Sequence, residues 1–218
     1  MRGSVLHRSR RRCKEAARAA SWQERAAMAD PIDRFLLWYD EAVAAGVPTP
    51  DAMVLSTVSP EGAPSSRVVL YRGLSAQAPR FFTNYESRKG HDLATNPRAS
   101  LLFHWDALQR QVRFEGVVEK LSAEESDEYF RLRPRGHQIN AWTSPQSAPI
   151  GSRGALLARF AELEQQFEGR DVPRPPHWGG YRLIPRVIEL WQGMPDRMHE
   201  REVFTRVGDG WLESILAP

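Results

Sequence analysis

The chain has 218 residues, 41% of them hydrophobic, with seven tryptophans and nine phenylalanines, enough to bury a full core in one domain of ordinary size. A single cysteine, Cys13, excludes an internal disulfide framework and a cysteine-based metal cage and points to a reducing, cytoplasmic setting, and no run approaches the roughly 20 apolar residues that span a bilayer. The net charge of +3 is uneven: residues 1–27 hold seven arginines and one lysine against Glu15 and Glu24, so the rest is mildly acidic, which argues against nucleic-acid binding by the folded part.

Residues 1–27, with the run Arg8-Ser9-Arg10-Arg11-Arg12, read as a basic, disordered leader. It suits a transit peptide, a nucleic-acid arm or translated upstream sequence, the last favoured because Met28 directly precedes the first patterned segment. Residues 28–218 read as one domain. Asp30 as N-cap with Pro31 at the first helical position, then Ile32, Phe35, Leu36, Tyr39, Ala42 and Val43 at helical spacing, predict a helix of about four turns. Strands are expected over 52–58, 66–71 and 80–84, with a turn at Pro60-Glu61-Gly62-Ala63-Pro64. A short helix over 87–95, capped by Ser87 and closed by Asn96-Pro97, precedes two more strands, 99–105 and 111–121. Five strands with mostly short connections suggest an antiparallel barrel.

Ser122 and Glu125 form a capping box opening a helix through Tyr129 and Phe130, and 152–167 reads as a longer amphipathic helix. Pro173-Arg174-Pro175-Pro176 breaks the chain before strands at 181–183, 187–191, 203–207 and 211–216.

The strand ending Arg67-Val68-Val69-Leu70-Tyr71-Arg72, followed by Ser87-Arg88-Lys89 at a helix start, suits a phosphate. Free backbone N–H groups, a capping hydroxyl and converging cations together offset the desolvation of a dianion. Gln111 heads a strand, Gln146 and Ser147 sit in a polar loop, and Trp191 ends a strand. In an extended chain, alternation would turn Arg197, His199 and Arg201 to one face. The six histidines lack metal-ligand spacing, and no dinucleotide or P-loop glycine motif is present.

The ordered set Arg67-Val-Val-Leu, Phe82-Thr83, Ser87-Arg88-Lys89, Asn96-Pro97, Arg110-Gln111-Val112, Tyr129-Phe130, Arg133-Pro134-Arg135, Gln146-Ser147, Trp178-Gly179-Gly180, Trp191-Gln192-Gly193, Arg197-Met198-His199-Glu200-Arg201 and a terminal Leu216-Ala217-Pro218 resembles the pyridoxine/pyridoxamine 5′-phosphate oxidase family, from about residue 30 onward. The resemblance implies an α+β, mainly β fold, the FMN-binding split β-barrel, working as a homodimer with flavin at the subunit interface. By position, Arg67, Val68, Val69, Leu70, Arg72, Phe82, Thr83, Arg88, Lys89 and Gln111 would hold FMN from one subunit, and Gln146, Ser147, Trp191 and Arg201 from the other. Arg72, Tyr129, Arg133, His137, Arg197, Met198 and His199 would bind pyridoxamine or pyridoxine 5′-phosphate. Arg197 and His199 are implied as catalytic, orienting the substrate and helping remove its proton. The implied reaction gives pyridoxal 5′-phosphate, with dioxygen as acceptor and hydrogen peroxide released.

The family usually has Lys at 72, Ser at 137, Tyr at 82 and Arg at 215, where this chain has Arg72, His137, Phe82 and Ile215. These departures lie on the substrate side. They leave open a flavin oxidase acting on another aromatic substrate, as in phenazine biosynthesis, or a non-catalytic carrier of FMN or pyridoxal phosphate.

Overall fold

The computed structural model describes residues 30–218; the predicted leader lies outside them. The chain forms two compact units that divide between Gly46 and Val47. In the first, helix α1 (Pro31–Ala44) starts as the sequence dictates: the Asp30 side chain accepts from the Ile32 N–H at 2.8 Å and Pro31 follows it. Ile32, Phe35 and Ala42 are buried, whereas Val43, counted with the apolar run, is exposed.

The second unit is built on nine strands: β1 (Ala52–Val58), β2 (Pro64–Leu70), β3 (Leu74–Ser75), β4 (Ala78–Asn84), β5 (Arg98–Trp105), β6 (Arg110–Lys120), β7 (Trp178–Gln192), β8 (Glu200–Val207) and β9 (Gly210–Ile215). All pair antiparallel, in the order β2-β1-β5-β6-β7-β4-β3, with β8 on β7 and β9 on β8. β2 thus has one ladder partner among the described residues, and its outward edge is free. Helices α2 (Arg88–Thr95), α3 (Ala123–Leu132), α4 (Arg135–Thr143) and α5 (Arg153–Gln166) fill the connections.

The expected strands at 181–183 and 187–191 are one continuous strand. Pro185 does not end it because the register shifts there: Glu115 faces Val187 while Gly116 faces Pro185, which leaves Arg186 as the extra residue of a bulge. Gly116 is required at this point, since a Cβ on it would lie 2.0 Å from the Ile184 carbonyl oxygen. The length of β7 forks the sheet. Its first residues pair with β4 and its last with β8, while β6 runs beside it from Tyr181 to Gln192.

Alternate side chains of β1, β5, β6 and β7, among them Leu55, Leu101, Phe103, Val112, Phe114, Ile188 and Leu190, are buried and form the interior. A second cluster, Phe130, Ile139, Ala141, Leu163, Val172 and Trp178, joins α3, α4 and α5 to the start of β7. Helix α4 had no counterpart in the sequence reading, because it buries only Ile139, Ala141 and Thr143 and shows no apolar stripe. Ser152 caps α5, its Oγ accepting from the Ala155 N–H at 3.1 Å, but only Leu163 of the helix residues is fully buried, so its apolar face is narrower than expected.

Candidate functional site

A cleft of about 350 Å³ opens between β2, β4, α3 and α4. One wall is aromatic. The Phe82 ring stacks on Tyr129 at 3.9 Å between centroids and 16° between planes, and on Trp178 at 5.6 Å and 13°. Another wall is the free edge of β2, where Val68 and Leu70 are exposed.

The cleft's cations are held in three different ways. At the start of α2, the Ser87 Oγ accepts from the Gly90 N–H at 3.3 Å and donates to the Asn84 carbonyl at 2.7 Å. Gly90 is obligatory there, because a Cβ would meet the Tyr85 carbonyl oxygen at 2.0 Å. Two residues past the cap, Lys89 is buried: it is 8% exposed, and its Nζ donates to Thr83 Oγ1, Ser87 Oγ and Gln146 Oε1, each at 3.1 Å. Burial first, and the Arg67 charge second, pull this ammonium down to about 8. Arg72 is anchored instead: its Nη1 pairs with Asp51, and its Nε donates to the Tyr129 hydroxyl at 2.8 Å.

Arg133 is the least satisfied. Its guanidinium carbon lies 4.3 Å from the Trp178 ring centroid and 5.5 Å from that of Phe130. Its Nη1 is buried and has no hydrogen-bond partner among the described residues. Burial lowers its pKa, against the weaker pull of Tyr129. A buried, uncompensated cationic donor is costly in a folded chain unless an anion completes it. The cleft therefore has the chemistry of an anion site beside a flat aromatic surface, with His137 at its rim.

Of the residues singled out from the sequence, Val68, Val69, Leu70, Arg72, Phe82, Thr83, Lys89, Tyr129, Arg133, His137 and Gln146 line this cleft. Asn84, Asn140, Ala141, Ser144 and Trp178 line it too and were not singled out as site residues. Trp178 carries the clearest missed signal, an aromatic directly before two glycines.

Arg67 is tied into its own fold. It donates to the Leu55 carbonyl at 3.2 Å, to Thr57 Oγ1 at 2.7 Å and to Ser65 Oγ at 2.7 Å, with Asp92 at 3.9 Å. Arg88 is exposed at the first turn of α2, and Ser147 is exposed with φ +74°. Gln146, grouped by the resemblance with the opposite subunit's residues, here bonds Lys89 and Thr83 of its own chain.

The remaining residues form a second group outside the cleft. Gln111 on β6, Trp191 on β7 and Arg201 on β8 stand in one register row, so their side chains leave the same sheet face. The His199 ring lies 4.7 Å from Trp191, and its Nδ1 accepts from the Met194 N–H at 3.2 Å. Arg201 donates to Glu189 at 2.8 Å and to the Ala217 carbonyl at 3.1 Å. The expected extended alternation from Arg197 to Arg201 does not occur. Pro195–Arg197 is a helical turn with positive φ at Asp196 and Arg197, and β8 starts only at Glu200. Arg197 and Met198 are exposed on that turn.

Comparison with known proteins agrees with this geometry. Residues 39–167 match a family model described as pyridoxamine 5′-phosphate oxidase, and residues 178–218 match one described as the pyridoxine 5′-phosphate oxidase C-terminal dimerisation region. The chain is 56% identical over 196 residues to the pyridoxine/pyridoxamine 5′-phosphate oxidase of Bordetella avium, covering 89% of this chain and 92% of that one. It is 52% identical to the enzyme of the same name from Rubrobacter xylanophilus, with 87% of each chain covered. Among solved structures it is similar to PhzG from Burkholderia lata, crystallised with tetrahydrophenazine-1-carboxylic acid, at TM-score 0.83 and 33% identity over 87% of this chain and 93% of that one. A pyridoxamine 5′-phosphate oxidase-related, FMN-binding protein of Nostoc punctiforme shares the fold at TM-score 0.63 and 18% identity, over 91% of this chain and 98% of that one.

Proposed function

Because this chain belongs to the pyridoxine/pyridoxamine 5′-phosphate oxidase family, we propose that it is an FMN-dependent, cytoplasmic oxidase. It converts pyridoxamine and pyridoxine 5′-phosphates to pyridoxal 5′-phosphate, with dioxygen as acceptor and hydrogen peroxide as the second product. The observation that carries the reading is Arg133, a half-buried guanidinium over Trp178 whose buried Nη1 lacks a partner among the described residues. A substrate phosphate supplies the missing acceptor, while the pyridine ring finds a flat neighbour in the same cleft.

The residues present also fit FMN. The free edge of β2, with Val68 and Leu70 exposed beside the cleft, offers apolar and backbone contact to a planar ring system, and Lys89, already desolvated, offers a cation to a phosphate. FMN, when bound, supplies the hydride acceptor and passes the electrons to dioxygen. The protein's own part is to hold the substrate phosphate with Arg133, Arg72 and Tyr129, and to exclude water from the aromatic wall. In the neutral imidazole, the bond from Met194 to Nδ1 puts the proton of His199 on Nε2, so His199 offers a donor rather than a base at that atom.

The active species proposed is a homodimer, since 178–218 matches a dimerisation region and the candidate residues fall into two groups within one protomer. The test incubates purified protein with FMN and pyridoxamine 5′-phosphate and follows aldehyde and peroxide together. Equal yields of both, from a yellow dimer, are expected. Flavin bound without either product sinks the reading. A second reading, oxidation of another aromatic substrate, is favoured by the similarity to PhzG and by His137 at the cleft rim. Peroxide formed with a reduced phenazine carboxylate, and none with pyridoxamine 5′-phosphate, would establish it.

A further inference from the structure

Asp51 lies just ahead of β1 and belongs to none of the sequence motifs, yet it pairs with Arg72, which lines the cleft. Its backbone carbonyl accepts from the Tyr71 N–H at 2.8 Å, which sets it beside the neighbouring residue Arg72. Arg72 is pinned from the other side by Arg80: the Arg72 N–H donates to the Arg80 carbonyl at 2.9 Å, and Arg80 Nε donates to the Arg72 carbonyl at 2.5 Å. With its backbone fixed, the Arg72 guanidinium is oriented by two side chains. Nη1 pairs with the Asp51 carboxylate and also reaches the Tyr71 carbonyl at 3.1 Å, while Nε donates to Tyr129 Oη.

This has a consequence at the tyrosine. A hydroxyl that accepts from Nε directs its own hydrogen elsewhere, and Tyr129 lines the cleft. The planar fork of arginine can bridge a carboxylate and a hydroxyl at fixed angles; a lysine ammonium in the same place would be a point charge without that geometry. Arg72 Nη2, which bonds no described residue, is left over for a ligand.

We propose that Asp51 is a positioning residue for the phosphate subsite: through Arg72 it fixes the Tyr129 hydroxyl as a hydrogen-bond donor to the substrate's phosphate. The inference rests on the functional reading above, and it assigns Asp51 no contact with the substrate. The pair is partly exposed, with side chains 23% and 30% accessible, so the charge of Asp51 itself acts only weakly on an anion in the cleft. Orientation is what its removal costs.

The test compares wild type, Asp51→Asn and Asp51→Ala, all loaded with FMN. Steady-state oxidation of pyridoxamine 5′-phosphate is measured together with equilibrium binding of pyridoxal 5′-phosphate and of unphosphorylated pyridoxal. KM and the pyridoxal 5′-phosphate Kd are expected to rise about tenfold in both variants, with kcat, FMN affinity and pyridoxal binding unchanged within twofold. In an Arg72→Lys background, the further effect of Asp51→Asn should shrink to less than twofold, because the oriented fork is already gone. A lower Tm with KM and Kd unmoved would make Asp51 merely structural and overturn the proposal. A tighter Kd would also overturn it, since that result makes the carboxylate a charge brake on the anion. A wild-type enzyme without turnover on pyridoxamine 5′-phosphate defeats the functional reading itself, an outcome distinct from unchanged constants in an active enzyme.

Discussion

The Arg133 guanidinium lies 4.3 Å from the Trp178 ring centroid, and that contact holds a half-buried cation whose buried Nη1 no described group satisfies. Cation–π attraction of this kind contributes about 0.5–2 kcal/mol, less than the cost of an unpaired buried donor, so the arrangement is complete only with an anion. Arg133→Gln should raise KM for pyridoxamine 5′-phosphate about 10- to 100-fold, the loss of one charge-assisted contact worth about 1.5–3 kcal/mol. Tm should hold or rise, because a buried donor without an acceptor is removed. Unchanged KM with a large fall in Tm would mean that the guanidinium serves the fold alone.

Lys89 should make flavin binding pH-dependent. Its folded pKa, about 8, lies below the ordinary 10.5, so the penalty of burying its charge is present in the apoprotein below pH 8 and lifts as pH rises towards 10.5. FMN's phosphate needs the opposite state, the ammonium. Affinity should therefore fall above pH 8, by up to about tenfold per pH unit, while apoprotein stability rises over the same window. Fluorescence titration of FMN at neutral and alkaline pH checks this, with Lys89→Met as the control that flattens the profile. A flat wild-type profile would exclude Lys89 from the anion's contacts.

Arg67→Ala should act on both fold and flavin. FMN affinity is expected to weaken by about 1.5–3 kcal/mol if a charge-assisted contact is lost, far more than substrate affinity. The same change strips the donor from Thr57 and Ser65, so apoprotein stability should fall by about 1–2 kcal/mol in urea. Thr57 keeps its bond to buried Asp92 at 2.6 Å, which limits that loss. FMN affinity equal to wild type would leave Arg67 a purely structural residue.

Local signals were legible wherever a short polar motif closes on itself. The Asp30 and Ser87 caps formed as read, and so did the Ser122–Glu125 box, whose two bonds measure 3.1 and 3.2 Å. Strand patterns located every strand but β3, which has only two residues, although β7 was read as two separate pieces. Helix α4 escaped because its burial comes from packing against α5 and Trp178 rather than from a spaced apolar stripe. The turn at Pro195–Arg197 escaped because alternation assumes extended backbone, and positive φ at two successive residues breaks it. Basic and aromatic motifs pointed to the cleft, yet Asn140 and Ser144 reach it only because α4 brings them there.

Glu189 should make the β7–β8 end acid-sensitive. Burial pushes its carboxyl up, but the bond from Arg201 and the charge of Arg113 outweigh this and hold it below its ordinary value. A depressed folded pKa stabilises above the ordinary carboxylate value, and that stabilisation is lost as pH falls through the folded one. Glu189→Gln should flatten the acid side of the Tm profile and loosen Arg201. An identical acid limb in wild type and variant would show that the ion pairs contribute nothing to folding.

Replacing Arg197 or His199 by Ala should slow flavin reduction by about 10²- to 10⁴-fold while leaving FMN bound. Both stand outside the cleft that binds the anion in one protomer: Arg197 on the exposed turn, His199 against Trp191. Their effect on chemistry therefore requires the second protomer's cleft. Mixed dimers of an Arg133→Gln chain with a His199→Ala chain test this, since only a site shared between chains recovers activity. About half of the wild-type sites' capacity is expected back at most, because one of the two composite sites then carries both changes and the other neither. Stopped-flow reduction that is unaffected in both single variants would place these residues outside the reacting geometry, and mixed dimers as slow as their slow parents would show that the site is not shared between chains.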